Sequence, residues 1–186
     1  MYCTRNVSDS VVWVGASDRR LALFENLFPI PRGVSYNSYL ILDEKTALLD
    51  TTDASRQYLE NVSHSLNGKP LDYLIINHME PDHCANIAEL LLRYPHLTLV
   101  GNAKTFAFVS QFYDLDLTGR TLTVKEGDTL CLGSHTLHFF LAPMVHWPEV
   151  MVSYESSEKV LFSADGFGRF GAVAKFDEKA DWASEA

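Results

Sequence analysis

The chain has 186 residues, 47% of them hydrophobic, with a formal charge of -9 and an isoelectric point near 5.1. This length and composition predict one domain, residues 1–186, with ample material for a core, and exclude two full domains. The acidic balance repels phosphate backbones and anionic headgroups, which excludes nucleic acid and membrane as partners.

The opening predicts short strands over Val11 to Gly15, Ser38 to Leu42 and Thr46 to Asp50, rich in Val, Ile, Leu and Tyr and bounded by Gly, Pro, Asn and Asp. Ser55 to Leu66 places Tyr58, Leu59, Val62 and Leu66 near helical spacing, with Asn67-Gly68 and Pro70 as the stop. Leu71 to Asn77 predicts a buried strand and Ala85 to Tyr94 a helix, and the pattern repeats with Thr98 to Val100 and Ala103 to Phe112. Strands return at Leu122 to Val124, Thr129 to Leu132, Leu137 to Leu141, Val150 to Tyr154 and Val160 to Ser163, whereas Lys175 to Ala186 is polar and offers no closing element. A β-rich, then α/β, then β-rich order predicts an α/β fold with helices packed outside stacked sheets. No apolar run reaches signal-peptide or membrane-spanning length, and Cys3, Cys84 and Cys131 are odd in number and far apart, which predicts a cytoplasmic setting with reduced thiols.

Chemistry concentrates in Asn77-His78-Met79-Glu80-Pro81-Asp82-His83, which sets two histidines and two carboxylates at the end of a strand. In extended backbone, His78, Glu80 and Asp82 project to one side, and His83 follows at the start of a helix that Asp82 is placed to cap. Imidazole and carboxylate then converge as a metal site requires; the alternative is a polar surface loop. His146, between apolar residues after a strand, and Asp165, closing the run Val160 to Ala164, join them as candidates. A lone His is more often a satisfied core residue and a lone Asp a turn former. Loops at the ends of core strands can nevertheless meet at one cleft, which favours ligation.

The pattern H-x-E-x-D-H at 78 to 83, followed by His146 and Asp165, resembles the flavodiiron proteins, or A-type flavoproteins. Further matches are Arg32 to Leu40, Leu49-Asp50-Thr51, His146-Trp147-Pro148 and Asp165-Gly166-Phe167-Gly168, so that the likeness spans the chain. The resemblance implies a metallo-β-lactamase-type αββα sandwich. It also implies two iron ions: His78, Glu80 and His146 on one, Asp82 and His83 on the other, and Asp165 between them. Independently of the family, Glu80, Asp82 and Asp165 make an oxygen-rich, anionic set that favours iron or manganese over zinc. Trp147, Phe167 and Phe170 are placed to supply an apolar shell.

The activity implied is reduction of O2 to water, of NO to nitrous oxide, or both. Electrons would come from FMN in a flavodoxin-like domain or from a rubredoxin-type donor, within a homodimer. That flavin domain and a further family histidine beyond the bridging aspartate have no counterpart here, so the resemblance implies an incomplete chain. Such a chain would hold its second iron weakly and expose apolar faces of its sheets. Two other readings stay open, a diiron O2 or NO sensor and a zinc hydrolase, the latter disfavoured by Glu80.

Gly166 to Gly171 also matches G-x-G-x-x-G, but no helix and ribose-binding acid follow, so the segment is read as a loop shaping the cleft. His64, His96, His135 and His138 are expected at the surface or at strand edges, His135 and His138 being the first suspects to complete the second iron. Cys84 is expected as a small buried thiol, and Asp43 among a solvated acidic surface.

Overall fold

Short β-branched and aromatic runs broken by turn residues build the first third of the chain, and the computed structural model, which describes residues 2–172, resolves them into eight strands. These are β1 (Arg5–Asn6), β2 (Val11–Trp13), β3 (Ala16–Asp18), β4 (Leu23–Phe24), β5 (Phe28–Pro29), β6 (Val34–Tyr36), β7 (Tyr39–Ile41) and β8 (Ala47–Leu49). Helices and strands then alternate as α1 (Ser55–Leu66), β9 (Tyr73–Ile75), α2 (Pro81–Cys84), α3 (Ile87–Arg93), β10 (Thr98–Gly101), α4 (Ala103–Phe112) and β11 (Thr121–Thr123). A return to strands follows, β12 (Thr129–Cys131), β13 (Thr136–Leu141), β14 (Met151–Glu155) and β15 (Val160–Phe162).

The principal sheet has the order β1-β2-β7-β8-β9-β10-β11, antiparallel as far as β8 and parallel from β8 to β11. The change follows from the connections. A short turn joins β7 to β8, whereas helical crossovers join the parallel strands. A second sheet, β12-β13-β14-β15, is an antiparallel meander.

Strand periodicity sorts neighbouring residues onto opposite faces of the principal sheet. Val12, Leu40, Leu48, Leu74 and Leu99 pack with Tyr58, Val62, Ile87 and Leu90 of α1 and α3 in one core. Val11, Ile41, Leu49, Ile75 and Val100 pack with Leu137, Phe139, Met151 and Phe162 of the second sheet in another. Both faces are buried, so the strands read as continuous apolar runs.

The expected helix α1 has the predicted bounds, and Asn67 ends it in the left-handed conformation with Gly68 beyond. The expected helix over Ala85 to Tyr94 is the shorter α3, and a separate helical turn, α2, precedes it. Among the described residues, helices cover one outer face of the sandwich, while on the other face Phe140 and Leu161 stand exposed. The segment 175–186 lies outside the described residues. No helix among the described residues is long and apolar enough to cross a membrane.

These connections bring strand ends together. Parallel pairing sets the C-terminal ends of β8 and β9 side by side, with Asp50 and His78 just beyond them. The backbone N–H of Met151 donates to the Asn77 carbonyl at 3.0 Å, pinning the start of β14 and the preceding His146 loop to the same edge.

Candidate metal centre

All six expected side chains meet at this edge. Ligand atoms of His78, Glu80, His146 and Asp165 lie within 4.8 Å of one another, and so do those of Asp82, His83 and Asp165. In the first group, Glu80 Oε2 is 3.1 Å from His78 Nε2 and 2.8 Å from His146 Nε2, and Asp165 Oδ2 is 3.3 Å from each of the two histidines. In the second, His83 Nε2 is 2.8 Å from Asp165 Oδ1 and 3.7 Å from Asp82 Oδ2. Asp165 therefore turns one oxygen to each group.

Local backbone explains the placement. Extended Glu80 and Pro81, at the first helical position, start α2. This turn swings His83 back toward Asp165. Asp82 does not cap the helix as expected: Glu80 is the cap residue, no side chain caps it, and Asp82 Oδ1 is buried without a partner. Beyond β15, Ala164 adopts a left-handed φ of 48°, and Ser163 bonds to Gly166 through backbone and hydroxyl, bending Asp165 into the site. A Cβ on Gly166 would stand 3.0 Å from the Ser163 carbonyl oxygen, which favours glycine in this turn.

The charges are strongly coupled. Burial pulls the His78 imidazole down, but bonds to Asp165, Glu149 and Glu80 raise it to about 10. His83 is likewise raised against its burial by Asp165 and Asp50. Burial pushes the Asp165 carboxyl up, yet His78 and His83 hold it well below the usual range. Burial lifts Asp82 to about 6. Imidazolium and carboxylate here favour each other's charged forms, an arrangement in which a cation can replace the imidazole protons.

Two carboxylates behind the histidines were not among the expected site residues. Asp50, 3% exposed and at φ 54°, accepts from the Asn77 backbone at 2.7 Å and lies 3.2 Å from His83 Nδ1. Glu149, 1% exposed, lies 2.7 Å from His78 Nδ1 and accepts from the Met79 backbone at 2.9 Å. Burial pushes the Glu149 carboxyl up, and the His78 and Met79 bonds more than offset this to hold it low. Glu149 stands in the turn just before β14, where its sequence neighbours give no sign of a distant histidine.

The site opens into a cleft of about 600 Å³ lined by Phe24, Phe28, Tyr39, Phe162, Phe167 and Phe170 among others. Trp147, half-buried, stacks edge-to-face with His78 at 5.3 Å. Phe167 is 83% exposed and packs less than expected, while Phe170 meets Phe24 at 5.2 Å. Gly166 and Gly168 line the cleft, in keeping with the loop reading. Cys84 is buried, and burial raises its thiol to about 11.

The expectation for His135 is corrected. It is 7% exposed rather than at the surface, and it lies at the opposite end of the sandwich, beside Asp43 past β7. From there it cannot reach the centre. Asp43 is correspondingly not a solvated acid, its side chain being 9% exposed. His138 sits on β13 against Tyr154 at 6.3 Å, away from the cluster.

A profile of the family described as "ODP family beta lactamase" matches residues 34–184. The chain is similar to the anaerobic nitric oxide reductase flavorubredoxin of Pectobacterium atrosepticum, 36% identical over 170 residues covering 89% of this chain and 33% of that protein. It superposes on the flavodiiron protein from Giardia intestinalis with a TM-score of 0.88 and 28% identity, over 100% of this chain and 44% of that one. With rubredoxin oxygen:oxidoreductase from Desulfovibrio gigas the TM-score is 0.86 and the identity 34%, over 93% of this chain and 43% of that one. The chain thus spans less than half the length of each of these relatives.

Proposed function

The chain belongs to the ODP family of β-lactamase-type domains, and from that premise we propose that it is the diiron domain of a flavodiiron-type oxidoreductase that reduces O2, NO or both. The observation that carries this reading is Asp165, whose two carboxylate oxygens are divided between two groups of converging donors.

The donors fit a pair of metal ions. Atoms held about 2.0–2.2 Å from a common ion stand roughly 3 Å apart, and the first group shows 2.8 to 3.3 Å. Asp82 Oδ1, buried and unpartnered, is a donor in want of a cation. On this reading His78, Glu80 and His146 hold one ion, Asp82 and His83 the other, and Asp165 both. Three carboxylates against two divalent charges favour iron over zinc. When bound, the iron pair supplies the electron transfer that reduces the diatomic gas.

The chain's own residues set the conditions. Buried His78 and His83 are held rigidly from behind by Glu149 and Asp50, whereas His146, its side chain 56% exposed, faces the cleft by which a gas enters. Trp147 adds an apolar wall against the His78 ring. Electrons would arrive from FMN of a flavodoxin-like domain or from a rubredoxin-type donor, in a cytoplasmic homodimer.

Metal analysis after anaerobic purification and equal exposure to iron and zinc tests the centre. Iron in preference to zinc, with the His78 group filled before the weaker Asp82–His83 group, is the expected result, and a site filled by zinc with iron excluded would sink the redox reading. Consumption of NO or O2 with a reduced FMN donor tests turnover. Tightly held iron without consumption would favour a gas-binding module instead.

A further inference from the structure

Nothing in an imidazole dictates which nitrogen meets a metal; the group hydrogen-bonded to the other nitrogen decides it. We propose that Glu149 is the positioning residue that selects Nε2 of His78 as the metal-binding atom, an inference that rests on the metal-centre reading above. Three observations carry it.

First, the contact has the required direction. Glu149 Oε1 lies 2.7 Å from His78 Nδ1, on the side of the ring away from Glu80 and Asp165, which face Nε2 at 3.1 and 3.3 Å. A carboxylate only accepts, so Nδ1 must carry the proton and Nε2 presents its lone pair once a metal replaces the proton there. Second, the carboxylate is itself fixed. The same oxygen accepts from the Met79 backbone at 2.9 Å, and the Glu149 carbonyl accepts from Asn102 Nδ2 at 2.6 Å. Asn102 caps α4 by accepting from Lys104 and Thr105, so a helix N-terminus holds the turn that carries Glu149. Third, Glu149 is under-satisfied for a structural glutamate. Its Oε2 is buried without a partner, a costly arrangement unless the charge is offset across the His78 ring. A hydrogen-bonding role alone would be met by a neutral amide.

Glu149→Gln keeps the shape and the bond from Met79 but removes the charge. In the zinc-loaded protein with 15N-labelled histidine, used as a diamagnetic probe, the native spectrum should show His78 metal-bound at Nε2 with a slowly exchanging Nδ1 proton. The variant should exchange that proton faster and bind zinc and iron roughly 10- to 100-fold more weakly. The metal-free variant should remain folded, its circular dichroism matching that of the native chain, so that weaker binding is not a loss of fold. Ser153→Ala, which removes a hydroxyl bonded to Asn77 but leaves His78 untouched, serves as the neighbouring control and should change neither readout. Metal at Nδ1 of His78 in the native spectrum, or native-like affinity and exchange in Glu149→Gln, would overturn the inference while leaving the metal centre standing. A native chain that binds neither metal would remove the metal-centre reading and this inference with it.

Discussion

His83 and His135 are each 7% exposed, each lie among carboxylates, and sit at opposite ends of the same sandwich. Their surroundings differ in what the acids do. Around His135, Asp43 accepts from the backbones of Glu44 and His135 and from the Ser134 hydroxyl, at 2.8, 2.7 and 3.1 Å. Ser10 bonds to His135 Nε2 at 2.8 Å and also donates to Glu158, so the end is stitched together by local hydrogen bonds. Acids stand 3.7 Å from imidazole nitrogens at both ends, but at His83 Asp165 comes to 2.8 Å and, with Asp82, lines a cleft. Histidine and acid in proximity are therefore common to both ends. Among the described residues, three or more ligand atoms converge within 4.8 Å at the His83 end and not around His135, and that feature distinguishes a metal centre from a polar latch.

The largest effect that would break this comparison is expected from Asp165→Asn. Because Asp165 faces both donor groups, its loss should cost iron at both, exceeding the roughly 10- to 100-fold penalty typical of losing an outer partner. Glu80→Gln, confined to the first group, should cost less, measured as iron per chain. Equal losses would mean that Asp165 does not join the two groups.

Next in size is the response of the metal-free chain to pH. His78 is raised from about 6.5 to about 10 by its carboxylates against the pull of burial, so the folded state binds the extra proton. Its contribution is fully present below about pH 6.5 and is lost as pH rises through about 10. Asp82, raised by burial to about 6, works in the same direction at lower pH, losing its contribution as pH rises through that value. Asp165, held low, is fully ionised across this window and adds no slope. Metal-free stability should therefore fall from pH 5 to 10, with a slope of at most about 1.4 kcal/mol per pH unit for each proton. Metal loading should flatten the curve. Melting temperatures that rise with pH over this range would contradict the coupling.

At the other end, His135→Ala should lower stability by about 1–3 kcal/mol, because Ser10 loses a partner and a buried void opens. Iron per chain should not change. A drop in iron would show that the two ends are coupled through the sheets.

Much of this was legible in the chain itself. Apolar runs bounded by turn residues locate β2, β7 to β10 and β13 to β15, and α1 and α4 have the predicted bounds. The strands β3 to β6 were not legible, being two or three residues long and made by pairing rather than by local preference. Asp82 as a cap was the natural reading of a helix start, but Pro81 at the first helical position moved the boundary back and freed Asp82 to face the cluster. The six site residues could be listed because their crowding at strand ends is a local pattern. Glu149 and Asp50 could not, since each acts on a histidine far along the chain: Glu149 lies 71 residues from His78 and Asp50 33 from His83. Likewise His135 reads as isolated until folding brings Ser10, 125 residues away, to its ring.

The smallest effect is expected at Cys84, and it separates adjacency in sequence from participation in the site. Cys84 follows His83, but the next residue of a helix points about 100° away. Its thiol turns to the Met79 carbonyl at 3.2 Å and the Tyr113 hydroxyl at 3.7 Å rather than to the carboxylates. Burial raises the thiol to about 11, so almost none is thiolate at neutral pH, and thiolate is the form that binds metal. Cys84→Ala should therefore cost only about 1 kcal/mol through lost packing. Metal content and selectivity should match the native protein. In the folded state Cys3 and Cys131, both exposed, should react with an alkylating agent while Cys84 stays protected until denaturation. A shift of the variant from zinc toward iron would show that the sulfur had been competing for the metal, since thiolate favours zinc where carboxylate does not.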